Sequence, residues 1–157
     1  MLTVIGLGNK LRGDDAIGPY IIERLRQHAQ ADVLHLVDAG ADTFTILNHL
    51  VEHGHILLID AARMNEKPGF VKKIKLVDHN ISWADKNLSL HGFGFAAMYQ
   101  IARAVNPALT CTLIAVEPKE IAFNMEISTE VQKSVPRIIK LVIEELEKYV
   151  EEENINN

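Results

Sequence analysis

Residues 2–18 join an apolar segment to a glycine-rich turn and two adjacent carboxylates, in the order Leu2-Thr3-Val4-Ile5-Gly6-Leu7-Gly8-Asn9-Lys10-Leu11-Arg12-Gly13-Asp14-Asp15-Ala16-Ile17-Gly18. The apolar segment predicts a first strand over residues 3–7, and the turn leads into a helix that begins near Gly18. In open α/β sheets, ligands bind at the carboxyl ends of the strands, where this turn carries its acids. The stretch therefore predicts an α/β fold and one half of a binding site.

The following segments continue to alternate between strand and helix. Apolar runs predict a second strand over residues 33–37 and a third strand over residues 55–59. Helical spacing predicts one helix over residues 18–30 and another from a cap at Asp42 or Thr43 to about residue 51. The helix positions expected to face the core are Ile21, Ile22, Leu25, Ala29, Phe44, Leu47 and Leu50 or Val51. This order implies parallel strands with right-handed crossovers.

The second half of the chain departs from this alternation. Residues 70–76 follow the Lys67-Pro68-Gly69 turn too closely for a crossover helix, so we expect an antiparallel hairpin partner of the third strand. Residues 77–90 predict a long polar loop, in which Trp83 is a candidate substrate contact. A helix that ends at about residue 104 follows, and a strand over residues 111–116 completes the sheet. We predict a three-layer α/β/α fold with a mixed, mostly parallel sheet of five strands.

One domain is expected over residues 1–150, since 157 residues with 48% hydrophobic content suit a single core. The helix from Ser128 has one apolar face, and Pro136 either kinks it or marks its start. The polar residues 151–157 are expected to fray. Cys111, the only cysteine of the chain, is expected to be an inert thiol in the core.

Charge and hydropathy exclude several classes of partner. The net charge of −5, without a stripe of Lys or Arg, argues against nucleic acid. No apolar stretch approaches the ~18 residues of a membrane span, and no secretory leader is recognisable. We therefore expect a cytoplasmic protein without a membrane partner, acting as a monomer.

Acidic residues follow several of the predicted parallel strands and should gather at one edge of the sheet. They are Asp14, Asp15, Asp38, Asp60 and Glu117. His91, near a helix start, can reach the same edge. Carboxylates with an imidazole are suitable ligands for one divalent ion, such as zinc, nickel, manganese or iron. The sequence therefore predicts a metal site with open coordination positions.

Structural roles remain open for these residues and for other motifs. Asp15 suits a helix N-terminus, and Asp38 suits a turn before Gly40. Glu117 fits a structural or substrate-facing role better than the role of a metal ligand. The pair in His53-Gly54-His55 precedes a strand and so lies at the opposite edge, where helix termination is the simpler explanation. Gly6-Leu7-Gly8 alone suggests nucleotide or phosphate binding, but the third glycine of a dinucleotide fingerprint is missing.

The assembled motifs resemble the hydrogenase maturation protease family. The matching pieces are Gly6-Leu7-Gly8-Asn9-x-Leu11-x-x-Asp14-Asp15-x-x-Gly18, Asp38-Ala39-Gly40, Ile59-Asp60-Ala61, Ser89-Leu90-His91 and Val116-Glu117-Pro118. The resemblance implies an endopeptidase that removes a short C-terminal peptide from the nickel-loaded large-subunit precursor of a nickel-iron hydrogenase. It also implies that Asp15, Asp60 and His91 are both the catalytic and the metal-contacting residues.

Three questions remain open at the level of sequence. The divalent metal is either nickel presented by the substrate, which we favour, or a resident ion such as zinc that activates a water molecule. The general base is unassigned, with Asp14 and Asp38 as candidates. Because no base is identified, a nickel-dependent chaperone or metal sensor on the same scaffold is the alternative function.

Overall fold

A computed structural model of the protein describes residues 1–89 and 94–156. The strands are β1 Leu2–Leu7, β2 Leu34–Gly40, β3 His55–Ala61, β4 Val71–Leu76 and β5 Thr110–Val116. The helices are α1 Ile17–Arg26, α2 Thr43–Glu52, α3 Ile81–Asn87, α4 Phe95–Val105 and α5 Thr129–Asn156. A short 3₁₀ helix, Gly13–Ala16, connects the first turn to α1.

The strands form a single mixed sheet within the described part of the chain, in the order β2-β1-β3-β5-β4. Four strands are parallel, and β4 runs antiparallel at one edge. Since the connection from β1 turns towards β2 and the next crosses to β3, the strand order reverses between β1 and β3. Such a reversal opens a crevice at the carboxyl ends of the two strands.

Helices cover both faces of the sheet and divide the core into two layers. Leu2 and Val4 of β1 pack with α1 and α5 on one face. Ile5 and Leu7 pack with α2, α3 and α4 on the other. This alternation follows from the two-residue period of a strand. The predicted three-layer α/β/α fold is confirmed.

The prediction that β4 is the hairpin partner of β3 is wrong, although β4 is antiparallel as predicted. β5 lies between them and pairs with both strands. β5 is apolar along almost its whole length and suits a central position, whereas β4 carries Lys72, Lys73 and Lys75. Lysines are typical of edge strands, because a charged edge resists pairing with another chain.

The predicted long loop contains α3 instead. Ile81, Ala84 and Leu88 are buried on one side of this segment, at a helical spacing that its polar composition conceals. Trp83 lies on α3, partly buried against the core layer of α2, α3 and α4. It therefore helps to hold α3 on the sheet.

Two helices differ from their predicted extent or orientation. α1 ends at Arg26, and Ala29 is exposed. Beyond α1, Nδ1 of His28 accepts a hydrogen bond from the backbone N–H of Gln30, a local contact that competes with helix continuation. In α2, Asp42 caps the N-terminus as predicted, but Phe44 points outward and Ile46 takes the core position.

α5 is longer than predicted, because it continues through Asn156 and includes most of the segment expected to fray. Pro136 lies inside the helix, and Val131, Val135, Ile138, Val142 and Leu146 are buried along its inner face. No helix of the described residues combines the length and apolar character needed to cross a membrane.

Cys111 is fully buried in β5. Burial raises the pKa of its thiol to about 12, so the thiolate does not form near neutral pH. The predicted inert core thiol is confirmed.

A buried carboxylate joins α5 to three strands of the sheet. Glu145 accepts hydrogen bonds from Nζ of Lys73 at 3.0 Å and from the hydroxyl of Thr112 at 3.4 Å, and lies 3.3 Å from Nε2 of His55. Burial raises the pKa of Glu145, but the contacts with Lys73 and His55 together outweigh burial, so its pKa is lowered overall. The ionised carboxylate therefore stabilises the attachment of α5.

Glu145→Gln is expected to lower the free energy of unfolding by about 1.5–3 kcal/mol at pH 7, because hydrogen bonds to a charged group are weakened. The wild type should lose this advantage as the pH falls through the lowered pKa of Glu145, since protonation then removes the same charge. Urea unfolding at pH 7 and pH 3.5 measures both effects. Glu147→Gln, at an exposed position of the same helix, should change stability by less than about 0.5 kcal/mol. Equal effects of the two substitutions would contradict this role.

Candidate active site

The glycine-rich turn folds back tightly against the ends of β1 and β3. A Cβ atom at Gly18 would collide with the backbone carbonyl oxygens of Leu7 and Ile59, so only glycine lets α1 begin this close to the sheet. At Gly8, where φ is +110°, a Cβ atom would collide with the carbonyl oxygen of Asp15. The two glycines thereby bring Asp15 beside the strand ends.

The two adjacent aspartates have different roles. Asp14 is buried and accepts four hydrogen bonds, from the backbone N–H groups of Lys119, Glu120 and Ser128 and from the Ser128 hydroxyl, at 2.7–3.2 Å. Its oxygens are therefore occupied in joining the first turn to the segment after β5. This arrangement argues against Asp14 as the general base.

Asp15 keeps more of its carboxylate available. Its Oδ2 accepts one hydrogen bond, from the backbone N–H of Asn9 at 2.9 Å. The residue is only 4% exposed, yet it lines an open cleft of about 330 Å³ at the carboxyl edge of the sheet. A buried carboxylate at the wall of a cleft is well placed to bind a cation or a polar ligand.

Asp60 is the most strongly perturbed acid of the site. It is the penultimate residue of β3 and is fully buried. Its Oδ2 accepts hydrogen bonds from the backbone N–H and the hydroxyl of Ser89 at 2.8 and 2.7 Å. Its Oδ1 is buried and accepts no hydrogen bond of ordinary geometry from the described residues, although the backbone N–H of Ala61 is near enough to oppose the rise in the pKa of the carboxyl. Burial, together with the nearby charge of Asp15, raises the pKa of Asp60 to about 8, although the hydrogen bonds from Ser89 oppose the shift.

This charge pattern fits a metal ion. Two neighbouring ionised carboxylates, one with an unsatisfied buried oxygen, are unfavourable together unless one of them takes up a proton or a cation lies between or beside them. The groups that lower the pKa of Asp60 are Ser89 and the backbone of Ala61, and no basic residue is among them. A divalent ion would favour the ionised carboxylate and give Oδ1 a partner.

His91, the third predicted contact, lies outside the described residues. The described chain stops at Ser89, which is bonded to Asp60, and resumes at Gly94. The role of His91 therefore stays a prediction.

The other strand-end acids are engaged elsewhere. Asp38 forms an ion pair with Lys10. Glu117 accepts hydrogen bonds from the backbone N–H groups of Met64 and Glu66 at 2.7 and 3.3 Å, which supports its structural interpretation. Like the fully buried Asp60, neither residue lines the cleft, and Trp83 does not line it either.

Sequence reasoning missed two features of the cleft. Ser89 matters because its hydroxyl and backbone both hold Asp60; the motif Ser89-Leu90-His91 was the available signal. Arg12, Arg63 and Lys86 also line the cleft beside Asp15. These three cations are dispersed in sequence, so no local pattern could have grouped them.

Comparison with known proteins identifies relatives for almost the whole chain. The sequence profile described as hydrogenase maturation protease matches residues 19–145. A protein of Methanocaldococcus jannaschii named as a hydrogenase maturation protease is 30% identical over 158 residues, covering 93% of this chain and 88% of its own.

Solved structures agree with this assignment. The hydrogenase maturating endopeptidase HybD from E. coli superposes with a TM-score of 0.82 at 22% identity, covering 94% of this chain and 93% of its own. A hydrogenase 2 maturation peptidase from a Thaumarchaeota archaeon has a TM-score of 0.70 at 27% identity, covering 92% of this chain and 97% of its own. The first likeness supports the fold, and the second supports fold and family together.

Asp14→Asn is expected to lower the free energy of unfolding by about 1.5–3 kcal/mol, because an amide nitrogen cannot accept the hydrogen bonds that the carboxylate now accepts. Urea unfolding at pH 7 measures this loss. Asp38→Asn serves as the matched control and should cost at most about 1 kcal/mol, since its ion pair with Lys10 is partly exposed. A greater loss in the control than in Asp14→Asn would contradict the structural role.

Asp60→Asn is expected to stabilise the chelator-treated, metal-free protein at pH 8 and to do so much less at pH 4. Between the unfolded value near 3.8 and the folded value near 8, the folded wild type holds a proton that the unfolded chain has released. Wild-type stability therefore falls as the pH rises, relative to the variant, by at most about 1.4 kcal/mol per pH unit. Unfolding midpoints across this range test the sign. A difference between the two proteins that does not change with pH would disprove it.

Proposed function

The chain belongs to the hydrogenase maturation protease family and is a peptidase, and we propose that its substrate is the nickel-loaded large-subunit precursor of a nickel-iron hydrogenase. The proposed reaction hydrolyses one peptide bond near the precursor's C-terminus and releases a short peptide. The observation that carries the proposal is the unpartnered, buried Oδ1 of Asp60 beside Asp15 at the reversal of strand order. A divalent cation carried by the substrate would give this oxygen a partner and would favour the ionised form of the pair.

Asp15, Asp60 and His91 are proposed to contact the nickel ion that the precursor carries. Carboxylate and imidazole ligands suit a divalent ion of this kind. The ion is then part of the substrate and reports that metal insertion is complete. Zinc or another divalent ion resident in the protein is the competing possibility, and it would supply Lewis-acid activation of water.

The raised pKa of Asp60 gives the recognition step a physical basis. At pH 7, a carboxyl group with a pKa of about 8 is mostly protonated and neutral. Binding of a divalent cation favours the ionised form, so the proton leaves Asp60 as the nickel-bearing substrate enters. A precursor without nickel offers no such exchange and would leave the site in its protonated form.

The walls of the cleft suit the peptide part of the substrate. Arg12, Arg63 and Lys86 provide positive charge, while Pro118 and Ile121 provide apolar surface. Leu11 and Phe123, with 65% and 66% of their surfaces exposed, flank Arg12, whose guanidinium lies 5.3 Å from the centre of the Phe123 ring. Exposed apolar groups beside a cleft are typical of a protein-binding rim. In this proposal the protein acts as a monomer in the cytoplasm.

The proposal predicts that Asp15→Asn, Asp60→Asn and His91→Ala each reduce cleavage at least about 100-fold, a loss of about 2.7 kcal/mol of transition-state stabilisation. Purified protein is incubated with nickel-loaded precursor, and intact mass reports the loss of the C-terminal peptide. Asp32→Asn, at an exposed position remote from the cleft, is the matched control and should cleave like the wild type. Full cleavage by all three site variants would overturn the assignment.

A second arm separates the two metal hypotheses. Precursor without nickel should stay intact, even when zinc is supplied to the protein, if nickel belongs to the substrate. Cleavage of nickel-free precursor by zinc-supplied protein would instead show a resident metal. Tight binding of loaded precursor without any mass change would favour the chaperone function.

A further inference from the structure

Three histidines meet at the amino edge of the sheet, opposite the cleft. His35 lies near the start of β2, His49 in the last turn of α2, and His53 directly after α2. Their ring centroids are 5.2–5.4 Å apart, so the rings form a nearly equilateral triangle. One potential ligand atom from each residue lies within 4.8 Å of the other two, which makes this the one such cluster found in residues 1–89 and 94–156.

Local structure holds the three residues in this arrangement. His49 and His53 are four residues apart, and the backbone N–H of His53 donates to the carbonyl of His49 at 3.0 Å. The carbonyl of His53 accepts a hydrogen bond from Nδ2 of Asn106 at 3.0 Å, which fixes the end of the helix. His35 enters from the neighbouring strand, where the hydroxyl of Thr3 lies 3.4 Å from its Nδ1.

The chemical state of the cluster suits a cation rather than a hydrogen-bond network. Nδ1 of His49 is buried and has no hydrogen-bond partner among the described residues. An imidazole nitrogen in this state is available to coordinate a metal ion.

We propose that His35, His49 and His53 form a second metal site, which binds a divalent transition ion of the imidazole-preferring class, represented by Zn²⁺. Three imidazole ligands leave a fourth tetrahedral position open to water. Tetrahedral binding at the usual Zn–N length of about 2.0–2.1 Å needs nitrogens about 3.3 Å apart, so the three ligand atoms, which lie within 4.8 Å of one another, would have to approach each other as the ion binds.

This site is independent of the cleft that the proposed function uses. The two lie at opposite ends of the strands, and the histidine cluster contains no carboxylate. The neighbouring His55 takes no part, because its ring contacts Glu145 and Thr110. An ion bound here would link the edge strand β2 to the end of α2 through the side chains of His35, His49 and His53.

Competition between the purified full-length protein and a chromophoric chelator for Zn²⁺ tests the proposal. His49→Ala and His53→Ala are each expected to weaken this binding more than about 100-fold, since loss of an outer-shell partner alone costs about 10–100-fold. His79→Ala, at an exposed position far from the cluster, and Asp60→Asn should leave the histidine site intact. X-ray absorption of the zinc-loaded Asp60→Asn protein should show histidine nitrogen ligands.

Thermal unfolding supplies a readout that does not depend on the affinity assay. Zn²⁺ at about 100 times its dissociation constant should raise the midpoint of Asp60→Asn by about 5–10 °C, and this shift should vanish when His49→Ala is added. Without metal, the added substitution should leave the midpoint nearly unchanged, which excludes misfolding as the cause. Zinc binding that persists when either histidine substitution is combined with Asp60→Asn, or that Asp60→Asn alone abolishes, would overturn the second site whatever the outcome of the cleavage experiment.

Discussion

The close approach of α1 to the ends of β1 and β3 is the constraint on which the candidate active site depends. At Gly18 the backbone of the helix touches the backbone carbonyls of two strands, and any side chain would force them apart. Because the helix begins so near the sheet, the 3₁₀ turn before it places one aspartate over the end of β3 and the other against the segment that follows β5. The positions of both acids therefore derive from a backbone contact.

The electrostatics of the site follow from that geometry. Asp60 occupies a fully buried position where one oxygen is well satisfied and the other is not. Such an arrangement costs stability when the carboxylate is ionised, and it is retained at functional sites because a ligand relieves it. Arg12, Arg63 and Lys86 line the cleft wall beside Asp15, but no basic residue lowers the pKa of the buried Asp60.

Sequence patterns predicted the fold well in the segments whose residues must be apolar because they are buried. The apolar runs of β1, β3 and β5 could be recognised because both faces of these strands are covered, and the strand-end rule then brought Asp15 and Asp60 together. Residue patterns alone could not separate Asp14 from Asp15, and only the family resemblance favoured Asp15, because the two side chains differ in hydrogen-bond donors that residues 119–128 supply. Sequence also could not choose the neighbour of β4, because antiparallel pairing depends on partners distant in the chain. α3 was missed because its few buried residues are separated by polar ones.

The four hydrogen bonds to Asp14 also have a consequence for the order of folding. They join residue 14 to donors more than 100 positions later in the chain, beyond the last strand of the sheet. Contacts of such long sequence separation form late, because much of the chain must be ordered before they close. During synthesis the first turn emerges early but stays without its partners until residue 128 has been made. A nascent chain therefore lacks the fully anchored turn until nearly the whole protein has been made.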